Sequence, residues 1–350
     1  MQLTSVAQAA SLDFDTIIDV RSPAEFAEDH IPGAINLPVL DDAERARVGT
    51  IYKQVSPFDA RKIGAALVAQ NAARHLQGPL SDKPGGWRPL VYCWRGGQRS
   101  GSFATILRQV GWRAELVEGG YKSWRGLVVA ALLEAPRAPV VVLDGNTGSA
   151  KTDILKAARA QGAQVIDLEG LANHRGSIFG GMPGGQPAQK GFESRLAVEL
   201  AALDPARPVL VEAESSRVGE ISLPKGIWAA IRQAPRLRIV APLPERAAYL
   251  ARAYADIAAD APGLHALIDR LRPFQPGERI EAWHGLADSG DFVALAEGLM
   301  AQHYDPRYEK HRARHDQGSA EIAAPSLAPE ALPGLAAQVI AAAERVALRG

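Results

Sequence analysis

A strand, a tight loop and a helix in direct succession constrain the fold of this chain more than any other segment. The apolar run Leu90–Tyr92 is typical of a short buried strand, and it places Cys93 at its C-terminal end. Gly96 and Gly97 then allow the chain to turn, and Ser100 begins an amphipathic helix. Units of this kind build parallel sheets that are covered by helices, so the sequence predicts an α/β fold.

The same loop predicts a reactive cysteine. Backbone N–H groups that converge above a helix N-terminus form a cradle for an anion, and a cysteine in such a cradle has a lowered pKa. Two guanidinium groups nearby suit a tetrahedral oxyanion. The alternative to a reactive cysteine is a buried one that acts only as a small apolar side chain. The glycines and arginines favour the reactive site, with Cys93 and Arg99 as catalytic residues and Arg95, Gly96, Gly97 and Ser100 as substrate-binding residues.

The composition describes a globular chain that is long enough for two domains. Hydrophobic residues make up 47% of the 350 residues, and 39 basic residues balance 39 acidic ones. A polyanion would therefore have to bind a local patch. The single cysteine excludes an intrachain disulfide framework and a cysteine-rich metal site, and it indicates a reducing compartment. Because the chain shows no signal sequence and no apolar run of membrane-spanning length, we expect a cytoplasmic protein without membrane contact.

Three segments around the cysteine loop carry a family resemblance. Asp19–Phe26, His30–Asn36 and Glu118–Trp124 match signatures of the rhodanese family, and they occur in the right order around Cys93. The resemblance covers about residues 1–130. It implies an α/β domain whose cysteine carries sulfur or selenium as a persulfide or perselenide.

The spacing within the loop departs from the commonest rhodanese pattern. Five residues separate Cys93 from Arg99, one more than in the usual sulfurtransferase loop. This spacing resembles that of the dual-specificity phosphatase relatives of rhodanese, whose wider ring fits a phosphate. We therefore expect the ring to admit a phosphate-bearing chalcogen donor, and a phosphatase is a competing interpretation.

An insert with two predicted helices precedes the cysteine strand. The charged segment Asp41–Arg47 and the amphipathic segment Ile63–His75 are both predicted to be helical. Between them, Tyr52 and Lys53 are either ligand contacts or exposed loop residues.

A segment with two prolines predicts a domain boundary. Pro136 and Pro139 end the preceding helix, and an apolar strand begins at Val140. We therefore predict a rhodanese-like domain over residues 1–133, a linker over 134–139, and a P-loop NTPase-like α/β domain with a helical C-terminal region over 140–350.

The second domain opens with a strand, a glycine-rich loop and a helix, the order found in a Walker A motif. Ala150 stands where the last glycine of that motif is expected, and we expect ordinary helical dihedral angles for it. A chance glycine-rich turn between a strand and a helix is the alternative. The predicted phosphate-binding residues are Gly145, Asn146, Thr147, Gly148, Ser149, Lys151 and Thr152.

Charged residues near the ends of neighbouring strands complete this second predicted site. Glu212 and Glu214 end an apolar strand, where P-loop folds place an acidic partner of the metal. Thr152 and Glu212 are accordingly candidate Mg²⁺ ligands. Open α/β sheets bind ligands at the carboxyl ends of their strands, and the predicted substrate contacts are His174, Arg175 and Arg195. The alternative for His174 is a purely structural role.

The basic, aromatic run His303–His315 has two interpretations. Its basic residues could pair with phosphates while Tyr304 or Tyr308 stacks on a base. The alternative, slightly favoured, is an ordinary solvated helix face.

Motifs along most of the chain resemble those of the bacterial tRNA 2-selenouridine synthase family. They are Val48–Lys53, Leu168–Ser177, Gln186–Glu193 and Val211–Ser215, with Ala150 as the clearest departure. The resemblance implies a transferase that replaces sulfur by selenium in the wobble 2-thiouridine of tRNA, through S-geranyl-2-thiouridine. It implies geranyl diphosphate at the P-loop and selenophosphate at Cys93 as co-substrates, no tightly bound cofactor, and a selenophosphate-supplying enzyme as a candidate partner.

Two other functions are compatible with the motifs. One is a cysteine phosphatase or sulfurtransferase fused to a P-loop kinase, which would release phosphate from an aryl phosphate in a vanadate-sensitive reaction. The other is a sulfur carrier without catalytic activity, which would hold a persulfide on Cys93 without turnover.

Overall fold

The computed structural model describes residues 1–315 and 320–348, the side chains of 311–315 excepted. These residues form two compact units. The first unit contains residues 1–134 together with 187–202, and the second contains the rest of the described chain.

The first unit is built on a parallel sheet with the strand order β2-β1-β3-β4. Ile18 of the second strand in this order lies opposite Val91 of the third, and both side chains are fully buried. Burial on both faces explains why these strands are almost continuously apolar. The strands are β1 (Thr16–Asp19), β2 (Ala34–Asn36), β3 (Pro89–Tyr92) and β4 (Glu115–Leu116).

Helices pack on both faces of this sheet. The helices of the first unit are α1 (Val6–Ala10), α2 (Pro23–Glu28), α3 (Asp42–Gln54), α4 (Pro57–Gln77), α5 (Gln98–Val110), α6 (Tyr121–Leu133) and α9 (Gln189–Ala201).

Two of these helices differ from the sequence-based expectation. Helix α3 continues to Gln54, so Tyr52 and Lys53 lie exposed on a helix and not in a loop, because Ser56 and Pro57 supply the next helix start only after them. Helix α5 begins at Gln98, directly after the cap residue Gly97, and not at Ser100.

The second unit contains a five-stranded parallel sheet with the order β11-β10-β5-β7-β6. The P-loop follows its central strand, so it lies at the carboxyl edge of the sheet, where open α/β sheets bind ligands. The strands are β5 (Val140–Gly145), β6 (Gln164–Ile166), β7 (Val209–Glu212), β10 (Arg236–Val240) and β11 (Ala320–Ala323), with a separate antiparallel pair β8 (Arg217–Val218) and β9 (Ile221–Ser222).

The C-terminal part of the second unit is mainly helical. No helix among the described residues is long and apolar enough to cross a membrane. The helices are α7 (Lys151–Ala160), α8 (Leu168–Ala172), α10 (Lys225–Gln233), α11 (Leu243–Ala253), α12 (Ala255–Ala258), α13 (Ala261–Asp269), α14 (Gly277–Asp288), α15 (Phe292–Leu299), α16 (Asp305–His315) and α17 (Leu332–Ala347), with a π-helical turn at Met300–Tyr304 and short 3₁₀ turns at Arg272–Phe274 and Pro329–Ala331.

Helix α9 belongs to the first unit although it lies within the predicted second domain. Ser194 Oγ donates to the buried Asp29 carboxylate at 2.7 Å, and Tyr121 donates to the same oxygen at 2.8 Å. Trp124 Nε1 donates to Ser194 Oγ at 3.2 Å. This buried polar network, together with the fully buried Phe192, groups α9 with the N-terminal sheet, so residues 140–350 do not form one continuous unit.

Candidate active sites

Cys93 lies directly after β3 and is only 4% exposed. The hydroxyl of Ser100 donates to its Sγ atom at 3.1 Å. Burial by itself raises the pKa of the thiol, but hydrogen bonds from Ser100 and the positive charge of Arg99 outweigh it, so the pKa of Cys93 lies below its ordinary value. The loop therefore favours the thiolate, which is the nucleophilic form.

A close approach of two backbone segments fixes the shape of this loop. Gly120 has φ of +59°, and a Cβ atom there would lie 2.3 Å from the carbonyl oxygen of Cys93 and 2.6 Å from the nitrogen of Gly96. Only glycine fits this position, which explains its place in the segment Glu118–Trp124.

The two arginines of the loop have different environments. Arg99 is half-buried and donates from its NH1 group to Glu25 at 2.8 Å, and Glu25 also pairs with Arg45 at 3.1 Å. Hydrogen bonds and charges from these partners hold the pKa of Glu25 below its usual value, although burial works to raise it. Arg95 is exposed. The predicted binding residues Gly96 and Gly97 lie in the same loop and Ser100 lies in the first turn of α5, and their contact with substrate stays a prediction.

The P-loop connects β5 to α7, as the motif predicts. Lys151 folds back over the loop, with its Nζ atom donating to the carbonyl of Gly145 at 2.8 Å. Ala150, however, has φ of +56° and ψ of 25°, so the expectation of helical dihedral angles is wrong. As the cap residue of α7 it must reverse the chain into the helix, which here requires the left-handed conformation that glycine adopts at no steric cost.

Side chains from the C-terminal helices hold the P-loop in place. The buried Arg246 of α11 donates to the carbonyl of Thr147 at 3.1 Å and forms a bidentate ion pair with Asp305 of α16. Asn146 donates to the same aspartate at 2.9 Å. This network connects residues that lie 59 to 159 positions apart in the sequence, so the motif alone gave no sign of it.

A cluster of glutamates lies beside the end of the P-loop. Thr152 Oγ1 donates to Glu169 at 2.9 Å, and the backbone N–H of Glu169 donates to the buried Glu212 at 2.7 Å. Burial raises the pKa of Glu212 well above its usual value. Burial, followed by the charge of Glu169, raises the pKa of Glu214 to about 8. Glu169, to which the sequence assigned no role, therefore lies between the two predicted metal ligands.

The acidic side chains beside the P-loop do not form a metal site by themselves in the part of the chain that the structure describes. Among the residues that the structure describes, no group of three or more histidine, cysteine or acidic residues could hold a metal ion. The oxygen Oε2 of Glu212 is buried and has no hydrogen-bond partner, but Glu169 separates this side chain from Thr152. Mg²⁺ ligation by Thr152 and Glu212 stays a prediction.

A cavity of about 770 Å³ opens at the P-loop. It is lined by Lys151, Thr152 and Glu214, and by the predicted substrate contacts His174 and Arg175. Arg195 does not line it, since this residue is exposed on α9 in the first unit. The structure therefore brings together two of the three predicted substrate contacts.

His174 and Arg175 are both held in place by neighbouring groups. His174 Nδ1 accepts a hydrogen bond from the N–H of Gly176 at 3.1 Å, and burial keeps the pKa of its ring below the ordinary value. Arg175 pairs with Asp256 at 2.8 Å and lies 4.8 Å above the ring of Tyr254. Near neutral pH, His174 is therefore neutral and Arg175 supplies the positive charge.

A second, apolar cavity borders the P-loop at Thr147. Its walls come from α11, α12, α13, α15 and the segment around Phe179, and it shares Thr147, Ser177, Leu250, Tyr254 and Tyr304 with the larger cavity. The sequence gave no signal for this cavity, because its residues are scattered between positions 147 and 304.

The basic run His303–His315 lies partly in this site. Tyr304 and Tyr308 line the P-loop cavity, and His303 is buried, so an ordinary solvated face does not describe these three residues. Arg307 stacks on Phe274 at 4.6 Å. The side chains of residues 311–315 lie outside the described part of the chain.

Two family models match the chain. Residues 5–127 match the rhodanese-like domain, and residues 138–264 match the tRNA 2-selenouridine synthase AAA domain. The tRNA 2-selenouridine synthase of Alcanivorax borkumensis is 37% identical over 84% of this chain and 88% of its own length. The chain belongs to this family.

Further members of the tRNA 2-selenouridine synthase family are similarly related. The protein from Chromohalobacter salexigens is 32% identical over 88% of this chain and 91% of that protein. The match to the protein from Nitrosomonas europaea is 38% identical over 66% of this chain and spans 61% of that protein. Membership of this family confirms the resemblance drawn from the motifs, the order of the rhodanese-like and P-loop-like α/β domains, and the prediction of an enzyme.

Proposed function

We propose that this protein replaces the sulfur of 2-thiouridine in tRNA by selenium in two steps, geranylation at the P-loop and selenation at Cys93. The relatives are named tRNA 2-selenouridine synthase. The observation that carries the two-step proposal is the apolar cavity that borders the phosphate-binding loop at Thr147.

This pair of neighbouring cavities suits a prenyl diphosphate. The diphosphate would lie on the loop amides and Lys151, and the hydrocarbon chain would enter the apolar cavity between Phe179, Leu264 and Leu295. A nucleotide base in that cavity would leave its hydrogen-bonding edges largely unpaired, which costs binding energy. A geranyl group has no such edges, so the apolar walls favour it.

The chemistry of geranylation assigns roles to the polar residues of the larger cavity. Sulfur attacks C1 of the geranyl group, the C–O bond breaks, and the diphosphate leaves with a negative charge that Lys151 and the loop amides neutralise. The uridine ring loses the proton of N3 in the same conversion, and Glu214 is the candidate base. Mg²⁺, if bound with the diphosphate, would meet the hydroxyl of Thr152 and reach the carboxylate of Glu169.

Selenation would take place at the anion-binding loop around Cys93. Selenophosphate carries a tetrahedral anionic group, and the cradle offers loop amides and the guanidinium of Arg99 beside the Cys93 thiolate. Selenium then replaces geranylthiol on the base. An enzyme that supplies selenophosphate is the partner this step needs, and we place the reaction in the cytoplasm, where tRNA is modified.

The two steps can be separated by mutation. Cys93→Ala is expected to abolish 2-selenouridine while S-geranyl-2-thiouridine accumulates, and Lys151→Ala is expected to prevent geranylation. Nucleoside mass spectrometry of tRNA from cells that carry each variant measures both products. Equal loss of both products in each variant would contradict this division of labour, and vanadate-sensitive release of phosphate from an aryl phosphate would support the phosphatase–kinase alternative.

A further inference from the structure

Electron counting restricts what Cys93 can do with selenophosphate, the co-substrate of the proposed function on which this inference rests. In selenophosphate, selenium is fully reduced and phosphorus is fully oxidised. If a thiolate attacked selenium to form a perselenide, the electron pair of the P–Se bond would stay on phosphorus and yield phosphite. A perselenide with phosphate as the other product needs an oxidant, and the chain has no second cysteine to supply one as a disulfide.

We propose that Cys93 attacks the phosphorus of selenophosphate and not its selenium. An S–P bond forms, the P–Se bond breaks, and its electron pair leaves with selenium as hydrogen selenide. The selenide attacks C2 of S-geranyl-2-thiouridine, and geranylthiol leaves with the selenide proton. Water then hydrolyses the S–P bond, which releases phosphate and restores the thiolate. Each step is a displacement in which no element is oxidised or reduced.

Ser100 fits this role because the cysteine sulfur must act twice, first as a nucleophile and then as a leaving group. Its hydroxyl donates to Sγ at 3.1 Å and therefore stabilises the negative sulfur that hydrolysis regenerates.

The donors around the thiol match a phosphoryl group, which has three charged oxygens, better than a single selenium atom. Backbone N–H groups of Arg95 and Ser100 and the charge of Arg99 all act on the thiol position. Glu25 engages one side of the Arg99 guanidinium, which has five N–H donors in all, so others stay available for phosphate oxygens. The loop spacing, five residues between Cys93 and Arg99, provides the wider ring that a phosphoryl group needs.

The environment of Glu25 explains why selenophosphate would react and ordinary phosphate esters would not. Glu25 is paired with both Arg99 and Arg45, so it is ionised at neutral pH and has no proton to give to a leaving group. An alkoxide leaves poorly without a proton, whereas hydrogen selenide is a weak base and leaves unassisted. The site therefore favours the P–Se bond over the P–O bond of an alkyl phosphate.

Radiolabelled phosphorus distinguishes the two mechanisms. The full-length protein is mixed with selenophosphate that carries the label, without tRNA, and the reaction is stopped with acid. We expect label bound covalently to the wild-type protein and none on Cys93→Ser. Selenium bound to the protein without label would show attack on selenium and overturn the proposal.

Ser100 and Ser102 provide a matched pair on the same helix. Ser102 is exposed on α5. Ser100→Ala should retain the label and release phosphate about tenfold more slowly, since the loss of one hydrogen bond to a charged group costs about 1.4 kcal/mol or more. Ser102→Ala should release phosphate at the wild-type rate. Equal rates in the two variants, or no label on either wild type or Ser100→Ala, would overturn the proposal.

Nucleoside analysis of the same preparations separates this inference from the proposed function. Formation of 2-selenouridine by wild-type protein that never carries label would contradict phosphoryl transfer and leave the function intact. Absence of both label and 2-selenouridine, in protein whose thermal unfolding is normal, would contradict the function itself.

Discussion

At the scale of single residues, Ala150 carries strain that glycine would relieve. The left-handed conformation of Ala150 costs about 1–2 kcal/mol of conformational strain, which glycine would remove. Glycine also makes the unfolded chain more flexible, which lowers the resulting gain in stability by about 0.4–1 kcal/mol. Ala150→Gly should therefore stabilise the protein by up to about 1 kcal/mol and raise Tm by about 2–4 °C. Ala157→Gly in the interior of α7 is the control, and it should lower Tm. A lower Tm for Ala150→Gly, measured by calorimetry, would contradict the left-handed conformation.

Glu214 gives a residue-scale prediction about pH. Its pKa of about 8 means that the carboxyl is mostly protonated at pH 7 and becomes a base as the pH rises. The rate of geranylation under single-turnover conditions should therefore increase about tenfold per pH unit below pH 8 and level off above it. Glu214→Gln should lower the rate and remove this dependence. A flat profile in the wild-type protein would exclude Glu214 as the base.

At the scale of elements, helix α11 forms a wall of the apolar cavity beside the P-loop. Ala251→Phe in this helix should fill part of the cavity and raise KM for geranyl diphosphate about 10- to 100-fold, because each buried methylene group contributes about 0.8 kcal/mol. Inhibition by inorganic diphosphate should not change, since it has no hydrocarbon chain. Ala255→Phe, on an exposed position of α12, is the matched control. Steady-state kinetics of all three proteins measure the effect, and equal shifts in both variants would reject a prenyl site.

At the scale of the whole molecule, the chain leaves the second unit before residue 187 and returns to it after residue 202, so that α9 belongs to the first unit. Ser194→Ala removes a donor from the buried Asp29 and the acceptor of Trp124 Nε1, so we expect a loss of about 1–3 kcal/mol in the free energy of unfolding. Arg195→Ala on the exposed face of the same helix should change it by less than about 0.5 kcal/mol. Urea unfolding measures both variants. A neutral Ser194→Ala would show that the network does not hold α9.

Local signals in the sequence were enough to predict both anion-binding loops. The strand, loop and helix around Cys93 and around Lys151 depend on residues that are close together in the chain, and their apolar periodicity and glycines encode this geometry directly. The sequence also predicted the lowered pKa of Cys93, because Arg99 and Ser100, which lower it, follow within seven residues in the first turn of α5.

Contacts between distant residues decided the rest. The partner of Thr152 is Glu169, the P-loop is held by Arg246 and Asp305, and the apolar cavity draws its walls from separate helices. Arg195 belongs to the first unit, because α9 packs against α1, α2 and α6 of that unit. The sequence by itself determined the kind of chemistry, since motif geometry is local. Only the tertiary structure determined which side chains surround that chemistry, because packing between distant segments is set by the three-dimensional fit of whole surfaces and not by spacing along the chain.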